Sequence, residues 1–296
     1  MEIYTGGGLL LAAGDYPDTA QIEAAFEKAA GWIHEKGGFT SKMLADDPIF
    51  SLIKETAGFL SKGIEKGVEE SSPSEAMVNS LRESAGVFSR FKTFHEMKEA
   101  AGMLIDENGN LKPFKDYLND VQTIHETYNK NYLRAEYEFT VASSQMAAKW
   151  EDFQDERDGR YLLQVRTVGD DKVRETHRKM NGITLPASSR FYVLYYPPNG
   201  WGCRCTVVKV RAAKYPATDE EEAMKLGEKA TAGKHAEMFR FNPGMQKAAY
   251  PAYNSYTVSK CSTCPKDTEL AKISSNELCR ACPIIHRCAK KMALLI

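Results

Sequence analysis

The chain has 296 residues, of which 43% are hydrophobic and 27% are charged. These proportions are typical of a folded globular protein and exclude a disordered chain, a collagen-like fibre and a coiled-coil rod. The longest apolar runs, 7–14 and 191–198, are shorter than the about 20 residues that a bilayer span requires, and no Lys or Arg precedes the first run. We therefore expect about two domains, no membrane span and no secretory signal.

The formal net charge of −1 hides an uneven distribution along the chain. Residues 1–165 carry 17 basic and 28 acidic side chains, whereas residues 166–214 carry 10 basic and 3 acidic ones. The middle segment is therefore a candidate surface for phosphate or for an acidic protein. An internal contact with the acidic first half of the chain is the equally open alternative.

Residues 1–155 are predicted to form a helical bundle. One helix is expected to begin at Asp18 and to end at Gly37, with apolar residues at helical spacing between them. Further helices are expected after Asp47 and after Ser72, where a capping residue precedes proline. Beyond a turn at 106–110, a long helical pattern runs from 113 to 150.

The composition changes after residue 156, which predicts a small α+β domain over 156–250. Runs rich in β-branched and aromatic residues occupy 161–165, 191–196 and 206–210, and we expect each to form a strand. Acidic residues at 219–222 mark the start of a helix, since negative charge suits a helix N-terminus. The predicted fold is α+β and predominantly helical, with a Cys-rich region at 251–296.

The most distinctive motif combines an Arg-Thr…Asp…Val-Arg…His run at 166–177 with the sequence Pro-Pro-Asn-Gly-Trp-Gly-Cys-Arg-Cys at 197–205. A Gly-Ile-Thr-Leu-Pro step lies between them. These residues, in this order, resemble the phage Mu F-like head morphogenesis family. The matching residues are Arg166, Asp171, Arg174, His177, Pro197, Gly200, Trp201, Cys203, Arg204 and Cys205.

The resemblance implies a minor head protein of a tailed bacteriophage, located inside or beneath the capsid and present in the host cytoplasm during assembly. It implies the portal protein and other capsid components as partners, phage DNA as a further partner, and a part in DNA packaging or delivery. It assigns no catalytic residue. The alternative is a phage-encoded enzyme, a nuclease or an ADP-ribosyltransferase-like toxin, that acts through His177 and neighbouring arginines.

If 202–210 forms a strand, alternation sends Cys203 and Cys205 to one face and Arg204 to the other. His177 and these two cysteines then make a candidate metal site, because imidazole and thiolates suit zinc. The alternative is a hydrogen-bonded His177 with cysteines that pack as small apolar groups.

A second cysteine pattern lies near the end of the chain. Two Cys-x2-Cys pairs separated by fourteen residues have the spacing of a four-thiolate zinc knuckle. This pattern predicts a structural zinc ion, and disulfides or an iron–sulfur cluster remain alternatives. The predicted ligands are Cys261, Cys264, Cys279 and Cys282, with Cys288 and His286 as substitutes.

Overall fold

The structure is a computed structural model, and it describes residues 16–154, 159–233 and 236–257. The described chain is predominantly helical and contains a small antiparallel sheet, which confirms the predicted α+β class. Within these ranges, no helix has both the length and the apolar content needed to cross a bilayer.

Residues 16–154 form long helices, and their predicted positions are confirmed. The helices are α1 (Ala20–Lys36), α2 (Asp47–Val68), α3 (Glu75–Gly102), α4 (Phe114–His125) and α5 (Leu133–Gln154), with a 3-10 turn at Ser41–Ala45 and a π-helical segment at Glu126–Tyr132. Thr19, and not Asp18, is the N-cap of α1, although Asp18 accepts a hydrogen bond from the Ala20 amide. Gly37 ends α1 with a φ of 67°, a conformation that favours glycine.

Short helices and strands follow one another after residue 159. The elements are β1 (Tyr161–Arg166), α6 (Glu175–Arg178), β2 (Thr184–Leu185), α7 (Arg190–Leu194), β3 (Thr206–Arg211), α8 (Glu220–Ala230), a 3-10 turn (Ala236–Phe239) and α9 (Pro243–Gln246). The sheet has the strand order β2-β1-β3 and is antiparallel throughout. Leu163 on the central strand pairs with Leu185 on one side and with Lys209 on the other. The strands predicted at 161–165 and 206–210 are therefore confirmed.

The strand predicted at 191–196 is wrong, because this segment contains helix α7. The buried side chains there are those of Phe191, Tyr192, Tyr195 and Tyr196, whereas Val193 is 43% exposed. Such i, i+1, i+4, i+5 burial is a helical stripe and not a strand alternation. Aromatic content favoured a strand, but the Ser189 hydroxyl accepts from the Phe191 amide and caps a helix instead.

Backbone contacts divide the described chain into two compact units. The sheet unit comprises Gly63–Leu81 and Glu138–Ser255, and the helical unit comprises Tyr16–Lys62, Arg82–Tyr137 and residues 256–257. Each unit joins segments that are distant in sequence. The division into three consecutive domains, 1–155, 156–250 and 251–296, stays a prediction.

In the sheet unit, the last turns of α5 cover one face of the sheet together with α7. Trp150 packs edge-to-face on Tyr196, with ring centroids 5.0 Å apart. The Tyr192 hydroxyl donates to the Leu163 carbonyl at 2.6 Å, and the Tyr196 hydroxyl donates to the Met146 carbonyl at 3.1 Å. These bonds satisfy the polar ends of buried aromatic rings, so the two tyrosines fix α7 against both β1 and α5.

The helical unit buries a cluster of charged and polar side chains. Lys92 on α3 is fully buried, and its ammonium group donates to Glu136 at 2.6 Å and to the Tyr128 carbonyl at 2.5 Å. The Tyr256 hydroxyl donates to the other oxygen of Glu136 at 2.5 Å. Each buried charge therefore has partners, which reduces the cost of its removal from water.

Glu96 lies one turn along α3 from Lys92 and is also fully buried. One of its oxygens accepts from the Asn129 amide, and the other has no hydrogen-bond partner among the described residues. Burial raises the pKa of Glu96 to about 7, against an opposing effect of Lys92. The folded chain therefore binds the Glu96 proton more tightly than the unfolded chain does.

Replacement of Glu96 by glutamine tests this burial. A carboxyl whose pKa is raised from 4.5 to about 7 stabilises the fold fully below pH 4.5, and this contribution is lost as pH rises towards 7. We expect Glu96→Gln to be more stable than wild type by about 1 to 3 kcal/mol at pH 8, with a smaller difference near pH 4.5. Urea denaturation across this range measures the difference. An identical difference at both pH values, or the same profile for the exposed Glu107→Gln control, contradicts the prediction.

Candidate metal centre

The segment between α7 and β3 contains the Pro-Pro-Asn-Gly-Trp-Gly-Cys-Arg-Cys motif. The Pro197–Pro198 peptide bond is cis, and both prolines are buried. The Cys203 amide donates to the Gly200 carbonyl at 3.1 Å and closes a turn. Gly202 has a φ of 64° in this turn, which favours glycine at that position.

Trp201 anchors this segment in an aromatic cluster of the sheet unit. Its ring contacts Phe139 of α5 edge-to-face, with centroids 5.0 Å apart, and Phe239 at 5.4 Å. Phe139 also stacks on Phe241 and Tyr250. The tryptophan therefore joins the motif to α5 and to the segment that follows α8.

Two arginines stabilise the motif through hydrogen bonds and an ion pair. Arg174 donates to the Trp201 carbonyl at 2.6 Å, and its guanidinium group lies so close to Gly200 that a Cβ there would be 3.2 Å from Nη1. Arg204 forms a two-pronged ion pair with Asp170, with N···O distances of 2.6 and 2.7 Å. The hydrogen bonds from Arg204 hold the pKa of Asp170 below its usual value.

His177, Cys203 and Cys205 meet in the interior of the sheet unit. The Nδ1 atom of His177 lies 3.6 Å from the Cys203 sulfur and 3.7 Å from the Cys205 sulfur. The imidazole is 3% exposed, and each cysteine is 7% exposed and free of a disulfide. These three ligand atoms lie within 4.8 Å of one another and form a group that could hold a metal ion.

The pKa values of the two thiols shift in opposite directions at this site. The Cys205 thiol donates to the Cys203 sulfur, which holds the pKa of Cys203 well below its usual value, with a further contribution from His177. The pKa of Cys205 is raised because it keeps the shared proton and is buried. The pair therefore loses its first proton readily and its second proton only at a cost, unless a positive ion is present.

Alternation along a strand was expected to separate Arg204 from the two cysteines. Strand β3 begins at Thr206 and not at 202, so the cysteines precede it. Both thiols nevertheless face His177, and Arg204 pairs with Asp170 instead. The two cysteines and Arg204 therefore point in different directions, as the sequence indicated, although the segment is not a strand.

The remaining motif residues lie around this centre. Arg166 ends β1 and pairs across the sheet with Thr206. Asp171 is exposed, and the neighbouring Asp170 makes the ion pair with Arg204. Roles for individual motif residues stay predictions. The predicted zinc ligands Cys261, Cys264, Cys279 and Cys282, and the substitutes Cys288 and His286, lie outside the described residues.

The partners of this motif are not evident from the sequence. Asp170 was not selected, because two adjacent aspartates are equivalent in sequence and only the fold decides which one faces Arg204. Phe139 and Phe239 were not linked to Trp201, since they lie far from it along the chain. A tryptophan next to glycines in a turn was the one signal that an aromatic partner was needed.

Removal of the Trp201 side chain tests its anchoring role. We expect Trp201→Ala to lower the free energy of unfolding by about 1 to 3 kcal/mol, because its contacts with two phenylalanines are lost. Trp201→Phe retains part of the aromatic contact and should lose less. Urea denaturation followed by far-UV circular dichroism measures both. If Trp201→Ala lowers the free energy of unfolding no more than the exposed control Val193→Ala does, the anchoring role is contradicted.

Comparison with known proteins shows which family shares this region. Residues 106–208 match the family described as Phage Mu protein F like protein. The "Putative capsid assembly protein F" of Escherichia phage Mu is 27% identical over 112 residues, which are 38% of this chain and 23% of that protein. The "Mu-like prophage FluMu F protein" of Haemophilus influenzae is 28% identical over 131 residues, which are 42% of this chain and 28% of that protein. No solved structure matches.

The matched region contains the whole constellation described above, from Arg166 to Cys205. The aligned part represents between 23% and 28% of the length of these two relatives. The resemblance first indicated by the motif is thereby confirmed. Residues 106–208 of this chain are therefore similar to the Phage Mu protein F like family.

Proposed function

We propose that this chain is a minor component of a tailed-phage head, where it takes part in head assembly. The observation that carries the proposal is the match of 106–208 to the Phage Mu protein F like family. The relative from phage Mu bears the name of a capsid assembly protein. We further propose that the chain is located in the virion, inside or beneath the capsid, and contacts the portal protein.

The geometry of the motif supports a structural role. Arg174, Trp201 and Arg204 are each engaged in contacts that hold the motif itself. His177 is buried between two thiols rather than open to a substrate. A residue that must bind a reacting group needs access to it, so this burial favours a scaffold over a catalytic centre.

An assembly experiment tests the role in the head. The chain is co-expressed with the portal and major capsid proteins of a Mu-like phage, and particles are isolated by sedimentation. We expect the chain to sediment with the particles and to be retained by affinity-tagged portal. The folded but loosened Trp201→Ala variant should be retained less well than the Val193→Ala control. Absence of the wild-type chain from both particles and portal overturns the proposal.

Contact with DNA is a separate part of the proposal, and the basic segment 166–214 motivates it. Part of its positive charge is engaged internally, in Arg204 with Asp170 and Arg174 with a carbonyl. Arg211 and Lys214 at the end of β3 are exposed, as is Arg190 on α7. Exposed cations of this kind contact phosphates, and such contacts weaken as salt rises.

A salt series on the full chain tests this contact. We expect DNA affinity to fall with salt, and the double variant Arg211→Glu/Lys214→Glu to show a shallower dependence by about 1 to 2 in the log–log slope. The control Lys54→Glu/Lys115→Glu changes the net charge equally at exposed positions of the helical unit and should keep the wild-type slope. Salt-independent binding, no binding, or equal effects of the two pairs removes DNA as a partner.

An activity assay tests the alternative that the chain is an enzyme. Purified chain is incubated with DNA, RNA and a nicotinamide dinucleotide beside the His177→Asn variant. If the wild-type chain turns over a substrate and the variant does not, the chain is a nuclease or an ADP-ribosyltransferase-like enzyme and the assembly proposal is rejected. On the assembly proposal, both proteins leave all three substrates intact.

A further inference from the structure

The cluster of His177, Cys203 and Cys205 has the composition of a metal site. A buried imidazole nitrogen faces two buried sulfurs, and the two sulfurs come from alternate residues of one segment. Imidazole and thiolate are the ligands that zinc prefers, and two thiolates balance the charge of one divalent cation. The bound centre is therefore neutral, which suits a buried site.

The separations between the donor atoms also fit such an ion. With Zn–S bonds of about 2.3 Å and Zn–N bonds of about 2.0 Å, a tetrahedral ion separates N from S by about 3.5 Å and S from S by about 3.8 Å. The observed Nδ1–Sγ distances are 3.6 and 3.7 Å, and all three atoms lie within 4.8 Å of one another. Little rearrangement is needed for all three to bind one ion.

The surroundings place donor groups and positive charge near the two sulfurs. The Cys205 amide donates to the Cys203 sulfur, and the positive charges of Arg174 and Arg204 act on Cys205. Donor groups around the ligands orient them and stabilise their negative charge. These groups are part of the same motif, so one short segment supplies both the ligands and their support.

We propose that His177, Cys203 and Cys205 bind one structural zinc ion in the sheet unit. The ion binds both sulfurs as thiolates and displaces to solvent any thiol proton still present, and the three donors leave one tetrahedral position for a further donor such as water. The ion joins α6 directly to the segment that enters β3. This site shares no residue with the predicted cysteine site at 261–282, and it does not rest on the role of the chain in a phage head.

The experiment must separate the two cysteine sites in the full-length chain. Cys261, Cys264, Cys279, Cys282 and Cys288 are replaced by serine and His286 by glutamine, and metal content is measured after equilibration with zinc and removal of excess. We expect this tail-substituted chain to retain one zinc ion. A further Cys205→Ser or His177→Asn change should abolish its binding, whereas His177→Cys preserves a ligand and should retain the ion.

Cobalt in place of zinc gives a second readout. We expect a tetrahedral cobalt spectrum with sulfur-to-metal absorption that strengthens in His177→Cys and disappears in Cys205→Ser. Thr206→Ser alters a buried neighbour that is not a ligand and should leave both metal content and spectrum unchanged. Circular dichroism reports whether each variant is folded.

Two outcomes overturn the proposal. One is a folded tail-substituted chain that binds no zinc, and the other is a Cys205→Ser variant that retains the full amount. Should the tail-substituted chain fail to fold, the comparison of wild type with Cys205→Ser alone still decides. We expect a loss of one zinc ion per chain there, and an unchanged count rejects the site.

Discussion

Segment 195–205 lacks regular secondary structure, so side chains must hold its backbone in place. Trp201 provides the anchor, because its ring contacts both Phe139 and Phe239 while its carbonyl accepts from Arg174. With the tryptophan fixed, the cysteines after it are directed inwards towards His177. This packing contact connects the motif to α5 and to the segment after α8.

The side chains of the motif therefore mostly make contacts within the protein, and few of them are left to bind a ligand at the surface. Arg204 engages Asp170, and the backbone of 170–178 is tied back by Arg178, which donates to the Asp170 carbonyl at 3.0 Å. Such a network specifies a single conformation of a surface segment that would otherwise be flexible. A defined surface is what a protein needs when it must fit repeatedly against partners in an assembly, and this is why the geometry supports the assembly role.

The helical unit is organised around buried charge in place of a purely apolar interior. Lys92 reaches the carbonyl of Tyr128 within the π-helical segment, where the backbone departs from α-helical geometry. Glu136 satisfies the same ammonium group and also accepts from Tyr256. A buried ion pair costs desolvation, so the shared contacts of Glu136 reduce that cost and fix Lys92 relative to Tyr128 and Tyr256.

Local signals in the sequence were sufficient for most elements of the fold. Capping residues, prolines and glycines placed α1 to α5, and the alternating runs placed β1 and β3, because each of these signals acts within a few residues. The segment 191–196 suits a strand by its aromatic composition, whereas the helical stripe of buried rings and the Ser189 cap favour a helix. Two-residue strand β2 escaped notice because it is too short to show a period.

Some features of the candidate site could likewise be predicted from the sequence, and others depend on the tertiary structure. The sequence alone identified the motif, its family and the common direction of Cys203 and Cys205, since these depend on residue order and alternation. Only tertiary structure brought His177 to both sulfurs, chose Asp170 over Asp171 and gave Trp201 its aromatic partners. Those contacts join residues about 26 to 62 positions apart, and chain packing, which no local pattern encodes, determines such distances.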